Sequence, residues 1–289
     1  NPLLEINGEA KDFTNGEYGP QVCTDFICDF IDTNKEEPFL VYYPMILTHC
    51  PFDPTPDSSD WDPKRLGSTS YKGDHRDYQR HFGDMLAYAD KIVGQIVAQL
   101  EASGVRDNTL ILFTGDNGTD QPIVSAWNGT TVAGGKGKMT DAGTRVPLIA
   151  SWPGVIDTGK VSQDLVDFSD FLPTLCDATG TEVPADLTID GRSFLPLLAG
   201  QEPTPREWVY CWYSRNGKSN IQEWARNQQY KLYRTGKLYD VSKDVLEQSP
   251  LADLSPDVQQ ARTMLQQALD QYSDARPGRA APKRKPKKK

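Results

Sequence analysis

Apolar residues set out the elements along this chain. Val22, Phe26, Ile27, Phe30 and Ile31 recur three and four residues apart, which predicts an amphipathic helix over residues 19–34. Pro38 then opens a short apolar run, Phe39-Leu40-Val41-Tyr42-Tyr43, whose length and β-branched or aromatic content predict a buried strand. Residues 50–74 are rich in Pro, Asp, Ser and Gly and read as a long surface loop. A second stripe, made by Met85, Ile92, Val93, Ile96, Val97 and Leu100, predicts a helix over 78–103, with Gly104 as its stop. Strands are expected over 109–114 and 146–152, separated by a Gly- and Thr-rich loop, and a helix over 168–179 with Pro173 near its first turn. This order predicts an α/β fold, a mixed or parallel central sheet flanked by helices.

The texture changes after Gly200. Residues 208–213 and 229–234 look like strands, 237–240 begins a turn, and 255–273 forms a terminal helix. Together they predict a smaller antiparallel α+β subdomain. The expected organisation is a main α/β domain over 1–200, a small subdomain over 201–274 and a basic tail over 275–289.

Composition and charge change the picture only at the end of the chain. With 37% hydrophobic and 25% charged residues, an ordinary globular protein is expected, and no run approaches a membrane span. The net charge of −9 is unevenly spread: residues 276–289 hold eight Lys or Arg, which leaves 23 basic against 40 acidic residues elsewhere. Such a tail suits weak polyanion binding but carries no sign of specific nucleic-acid recognition. The chain begins at Asn1 with no signal-peptide pattern, so a missing N-terminal segment is expected. The five cysteines form neither a disulfide framework nor a zinc-ligand spacing.

The candidate chemistry lies at strand ends. Asp116 and Asn117 directly follow the strand 109–114, where α/β sheets place ligands, and both offer the hard oxygens that Ca²⁺ or Mg²⁺ prefers. Asp-Asn-Gly is also an ordinary turn sequence. Gly115 and Gly118 let the backbone bend there. Lys136 sits inside Gly134-Gly135-Lys136-Gly137-Lys138, where glycines permit close approach to an anion and the ammonium supplies a point charge. A solvated lysine in a flexible loop is the alternative, and the segment lacks the P-loop pattern. His49 follows the strand 39–43; it is either a structural histidine or a group that donates to an oxyanion or a leaving group. His75 and His81, at a polar helix start, are expected on the surface.

Several of these segments, in this order, resemble the sulfatase family of the alkaline-phosphatase-like superfamily. They are Phe39 to Tyr43 with Thr48-His49-Cys50-Pro51, then Phe113-Thr114-Gly115-Asp116-Asn117-Gly118, then Gly135-Lys136-Gly137. Asp141-Ala142-Gly143-Thr144-Arg145-Val146-Pro147, Trp152-Pro153-Gly154, Phe171-Leu172-Pro173-Thr174-Leu175 and Asp190-Gly191-Arg192-Ser193 continue the series. The resemblance implies that Asp116 and Asn117 complete a Ca²⁺ site and that Lys136 and His49 contact the sulfate group. It also implies a formylglycine nucleophile made from Cys or Ser in a Cys-x-Pro-x-Arg or Cys-x-Ala-x-Arg motif. No such motif occurs here; Cys211-Trp212-Tyr213-Ser214-Arg215 comes closest but has Tyr213 where Pro or Ala belongs. Lys138 stands where a small or apolar residue is usual, and either meets a polyanionic substrate or faces solvent. The expectation is sulfate-ester hydrolysis of a sulfated small molecule or glycan, with a chain that is inactive alone. The alternatives are a phosphatase or phosphodiesterase of the same superfamily, or a non-catalytic degenerate member. The resemblance further implies a periplasmic, secreted or lysosome-like location.

Overall fold

The computed structural model describes residues 1–68, 75–127, 129–201, 204–217, 221–252 and 255–273. The basic tail therefore lies outside the described residues. Two compact units divide the chain: residues 1–136 with 142–156, and residues 137–141 with 157–289.

The first unit opens with a hairpin, β1 (Leu3–Ile6) and β2 (Glu9–Asp12), turned at Asn7 and Gly8, which both hold positive φ. Helix α1 (Gly19–Asn34) starts with Pro20 in its first turn, where the missing amide is no loss. Helix α2 (His75–Ala102) packs against it, and Ile27, Ile31 and Leu100 form the shared core. Each side chain buried as fully as Ile31 or Leu100 contributes roughly 1.5–3 kcal/mol. Phe39 and Tyr43 pack onto the same cluster, while Leu40 and Tyr42 face outward, 72% and 86% exposed. Val41 between them is exposed as well, and no strand forms over 39–43, because among the described residues no neighbour completes its backbone ladder.

Strand β3 (Ile111–Thr114) pairs antiparallel with the later strand over Leu148–Ser151, with Ile111 opposite Ser151 and Thr114 opposite Leu148. Between them lie a second hairpin, β4 (Val124–Trp127) and β5 (Thr130–Ala133), and one helical turn, α3 (Asp141–Thr144), in a stretch expected to be loop. The Leu148–Ser151 strand is β6. Residues 50–68 lack regular structure, as expected, yet they are anchored: Phe52, Thr55 and Ser58 are buried.

The second unit contains α4 (Phe171–Thr179), entered through a 3-10 turn capped by Asp167 and Asp170, and the short α5 (Leu195–Leu198). A four-stranded antiparallel meander follows: β7 (Val209–Tyr213), β8 (Gln222–Arg226), β9 (Tyr230–Tyr233) and β10 (Leu238–Asp240). Helix α6 (Pro256–Gln271) covers one face, where Leu265, Ala268 and Leu269 meet Ala225, Leu232 and Leu238. Residues 237–240, expected as a turn, thus supply the edge strand, and β8 was not expected at all. The two compact units meet along the sequence at Ile156 and Asp157. Residues 157–200 join the sheet side because Arg206 pairs with the buried Asp170 and Leu165 packs beside Val209 and Trp224.

Candidate functional site

The end of β3 is tied to the turn before β6, where the Thr114 hydroxyl donates to the Pro147 carbonyl at 2.9 Å. Asp116 follows, exposed, and Asn117, half-buried. Three backbone bonds then knit this loop to α3 and to the lysine loop. The Gly118 amide donates to the Gly143 carbonyl at 3.0 Å, the Gly134 amide to the Ile123 carbonyl at 2.8 Å, and the Lys136 amide to the Thr119 carbonyl at 3.0 Å. The Gln121 side-chain amide adds a fourth contact, to the Lys136 carbonyl at 3.3 Å. A Cβ on Gly118 would stand 1.9 Å from the Ala142 oxygen, and one on Gly135 2.6 Å from the Ala142 carbonyl carbon. Only glycine fits at these two positions, and the cause is close backbone approach. Gly115 differs: a Cβ there meets nothing nearer than 3.6 Å.

His49 lies in a turn closed by its own amide on the Ile46 carbonyl at 2.7 Å. Its Nδ1 sits 2.5 Å from the Cys50 carbonyl, so Nδ1 carries a proton and Nε2 is the nitrogen left to act. Flanking residues Leu47 and Cys50 pack on the cluster of Phe52, Tyr78, Met85 and Ile123. Ile123 is the residue whose carbonyl holds Gly134. One continuous set of contacts therefore runs from the His49 turn to the lysine loop. Among the described residues, the side chains of Asp116, Asn117 and Lys136 have no hydrogen-bond or ion-pair partner. Lys136 is half-buried, and a partly desolvated ammonium without a counter-charge favours an anion beside it. Lys138 is exposed and belongs to the second unit.

His81, expected on the surface, is buried. The helical stripe of Tyr78, Phe82 and Met85 carries it inward. Its Nε2 meets Asp60 and its Nδ1 the Phe52 carbonyl, both at 3.1 Å. Arg80 grips both Asp60 oxygens, at 2.9 and 2.7 Å, and holds the carboxyl well below its usual range, with help from His81. Asp60, His81 and Asp84 have the donors of a metal cluster, but Arg80 already supplies the cation at Asp60. This arrangement fastens the 50–68 loop to α2. The His75 side chain lies outside the described residues.

Cys211, in the segment nearest to a nucleophile motif, sits on β7, and burial pushes its thiol up to about 11. It stays protonated near neutrality and is a packing residue. All five cysteines are free thiols. Among the described residues, no helix is long and apolar enough to cross a membrane.

Two cations of the sheet carry no sequence motif: Lys231, which is buried, and Arg226, which is partly buried. Arg226 donates to both Asp141 oxygens at 2.6 and 2.8 Å, and Lys231 Nζ donates to the Met139 carbonyl and to Glu247 at 2.8 Å.

Comparison with known proteins joins these observations. Residues 4–181 match the Sulfatase family model, and residues 135–275 match the family described as N-sulphoglucosamine sulphohydrolase, C-terminal. Mouse N-acetylgalactosamine-6-sulfatase is 33% identical over 187 residues, 63% of this chain and 33% of that protein. Human arylsulfatase A is 28% identical over 263 residues, 80% of this chain and 48% of that protein. Among solved structures, Ps i-CgsB in complex with k-i-k-neocarrahexaose superposes with a TM-score of 0.71 at 23% identity, over 96% of this chain and 59% of that one. The chain thus spans less than half the length of these two curated relatives. Its two strand-end loops, its Asp-Asn and lysine segments and its alkaline-phosphatase-like fold agree with the match: the chain belongs to the sulfatase family.

Proposed function

We propose that this chain supplies the metal- and sulfate-binding part of a sulfuric ester hydrolase. The observation that carries the reading is the unpartnered set of Asp116, Asn117 and Lys136 on two loops bonded to each other through Thr119 and Lys136. Hydrolysis of a sulfate ester moves negative charge onto the sulfate oxygens and the leaving oxygen. On this reading the Lys136 ammonium sits against the sulfate oxygens and stabilises the charge that develops there; one such donor is worth about 10²–10³ in rate. His49, whose Nδ1 proton is committed to the Cys50 carbonyl, offers Nε2 to the leaving oxygen and delivers a proton when the ring is charged. The oxygens of Asp116 and Asn117 suit Ca²⁺, with further carboxylates from outside these 289 residues. Bound there, the ion would supply positive charge for the sulfate oxygens. Lys138, exposed, is a contact for the remainder of a polyanionic substrate.

The nucleophile on this reading is a formylglycine contributed by chain outside these residues, since no Cys/Ser-x-Pro/Ala-x-Arg segment occurs among them. The substrate class is a sulfated small molecule or glycan. One neighbour, 25% identical with a TM-score of 0.58 over 72% of this chain and 43% of that one, was solved with its substrate D-glucosamine-2-N,6-O-disulfate. The test compares aryl sulfate with aryl phosphate. The complete protein should turn over the sulfate and the isolated 289 residues should turn over neither. Phosphate turnover in place of sulfate turnover overturns the reading, and sulfatase activity of the isolated chain overturns the external nucleophile.

A further inference from the structure

Helix α2 holds the backbone just beyond His49 with one buried side chain. His81 is 6% exposed and lies on the face of α2 that carries Tyr78 and Met85. Its Nδ1 meets the Phe52 carbonyl and its Nε2 a carboxylate oxygen of Asp60, both at 3.1 Å. These acceptors stand at opposite edges of the ring, so its rotation is fixed as well as its depth. Arg80 grips Asp60 from the other side, through both oxygens, and keeps the carboxylate in place. A polar ring beside an apolar cluster is costly unless its nitrogens are satisfied, and an apolar side chain would fill the same space without that demand. What the imidazole adds is a hold on a main-chain oxygen.

Phe52 follows His49 by three residues. Its ring is buried and meets Tyr78 and Phe82 edge-on, with centroids 5.9 and 5.7 Å away. That packing sets where the ring lies, whereas a bond to the carbonyl sets which way the backbone turns. Between the two residues, the His49 amide closes on the Ile46 carbonyl, His49 Nδ1 is committed to the Cys50 carbonyl, and Leu47 and Cys50 rest on the same cluster as Phe52. Further along the loop α2 uses another residue: the Ser58 hydroxyl donates to Asp84 at 2.7 Å and accepts from the Thr55 amide at 2.9 Å. Residues 81 and 84 thus tie the loop to α2 at two points, and the tie through His81 is the one beside His49. A general acid acts only when its nitrogen lies within hydrogen-bond reach of the leaving oxygen, so a tilt of the backbone at 52 would misdirect it.

We infer that His81 is a positioning residue, whose bond to the Phe52 carbonyl sets the backbone after His49 and so aims His49 Nε2 at the leaving oxygen. The inference rests on His49 as the proton donor. The experiment uses the complete protein and two esters, para-nitrophenyl sulfate, whose leaving oxygen needs little protonation, and phenyl sulfate, whose more basic leaving oxygen needs more. His81→Asn places an amide where Nδ1 was and keeps the Phe52 bond; His81→Gln places it where Nε2 was and keeps only the Asp60 contact. His81→Gln should lower kcat on phenyl sulfate by about 10–100-fold and on the nitrophenyl ester by about threefold or less, with KM held. His81→Asn should stay within about threefold of wild type on both. In a His49→Ala background, His81→Gln should cost almost nothing further. An equal loss in His81→Gln and His81→Asn, a loss shared equally by the two esters whatever the melting temperature, or no loss in His81→Gln overturns the positioning role. His49→Ala alone tests the underlying reading: an equal loss on both esters, or none, refutes His49 as the proton donor.

Discussion

Gly118→Ala should damage this protein far more than Gly115→Ala, although both glycines flank the same Asp-Asn pair. At Gly118 the new methyl would stand 1.9 Å from the Ala142 oxygen and 2.8 Å from the Gly143 Cα. Those are backbone atoms, so no rotamer change relieves the overlap. Reaching the 3.4 Å of ordinary contact requires the two loops to part by about 1.5 Å. That separation breaks the 3.0 Å bond from the Gly118 amide to the Gly143 carbonyl. Overpacking of this kind costs about 1–3 kcal/mol and the lost bond about 0.5–1.5 kcal/mol, so a loss of roughly 2–4 kcal/mol in stability follows. Catalysis should suffer separately, because a shift near 1 Å in a positioning loop costs about 10²-fold. At Gly115 the nearest atoms are those of Val146 at 3.6 Å, so alanine should be tolerated within about 1 kcal/mol. Urea unfolding of the two variants beside the wild type measures the difference. Equal midpoints for the two variants would show that close approach to Ala142 is not what requires glycine at 118.

Other perturbations test other parts. Asp170 and Arg206 form a pair with side chains 2% and 8% exposed, so Asp170→Ala should cost about 3–5 kcal/mol, while Asp170→Leu with Arg206→Met should cost much less; denaturation midpoints decide it. Asp60 is held below its usual range by Arg80, so its contribution to stability is complete above about pH 5 and is lost as pH falls below the ordinary value near 4. Melting temperature against pH should therefore fall less steeply on the acid side for Asp60→Asn, and an unchanged acid limb would contradict the assignment. Asp116→Ala should weaken Ca²⁺ binding by the complete protein by about tenfold or more in calorimetry; wild-type affinity would remove Asp116 from the metal site.

Periodicity made the helices legible. The stripes through Ile27 and Ile31 and through Met85, Ile92 and Leu100 are the buried faces of α1 and α2. Strands depended on partners that a sequence does not display. Residues 39–43 are apolar yet lack a ladder, whereas β8 reads as polar, Gln222 to Arg226, and lies between β7 and β9, which pair with it. The β1–β2 and β4–β5 hairpins carry Asn-Gly in the sequence, at residues 7–8 and 128–129, a hairpin-turn signal. At the candidate site, the sequence points to Asp116 and Asn117 because α/β sheets place ligands at strand ends, and to Lys136 and His49 by residue type and neighbours. It does not display long-range partners: that of Asp141 lies 85 residues further on, and that of Met139 lies 92 residues further on. His81 shares the inward face of α2 with Tyr78 and Met85, and its partner Asp60 lies 21 residues earlier in a loop without a periodic pattern.

The division of the chain also governs how it can be recombined. Residues 137–141 belong with residues 157–289, although the residues on either side of them belong to the other unit. A chimera joined at a single crossover between Ile156 and Asp157 would therefore pair a donor sheet with a foreign pentapeptide. Met139 from one parent would have to pack with Val209 and Trp224 of another, and Arg226 would meet an unmatched acid. A misfit in that slot costs about 2–5 kcal/mol if the methionine is lost to a small residue. Exchange of segments among such proteins is better served by moving 137–141 and 157–289 as one inseparable cassette.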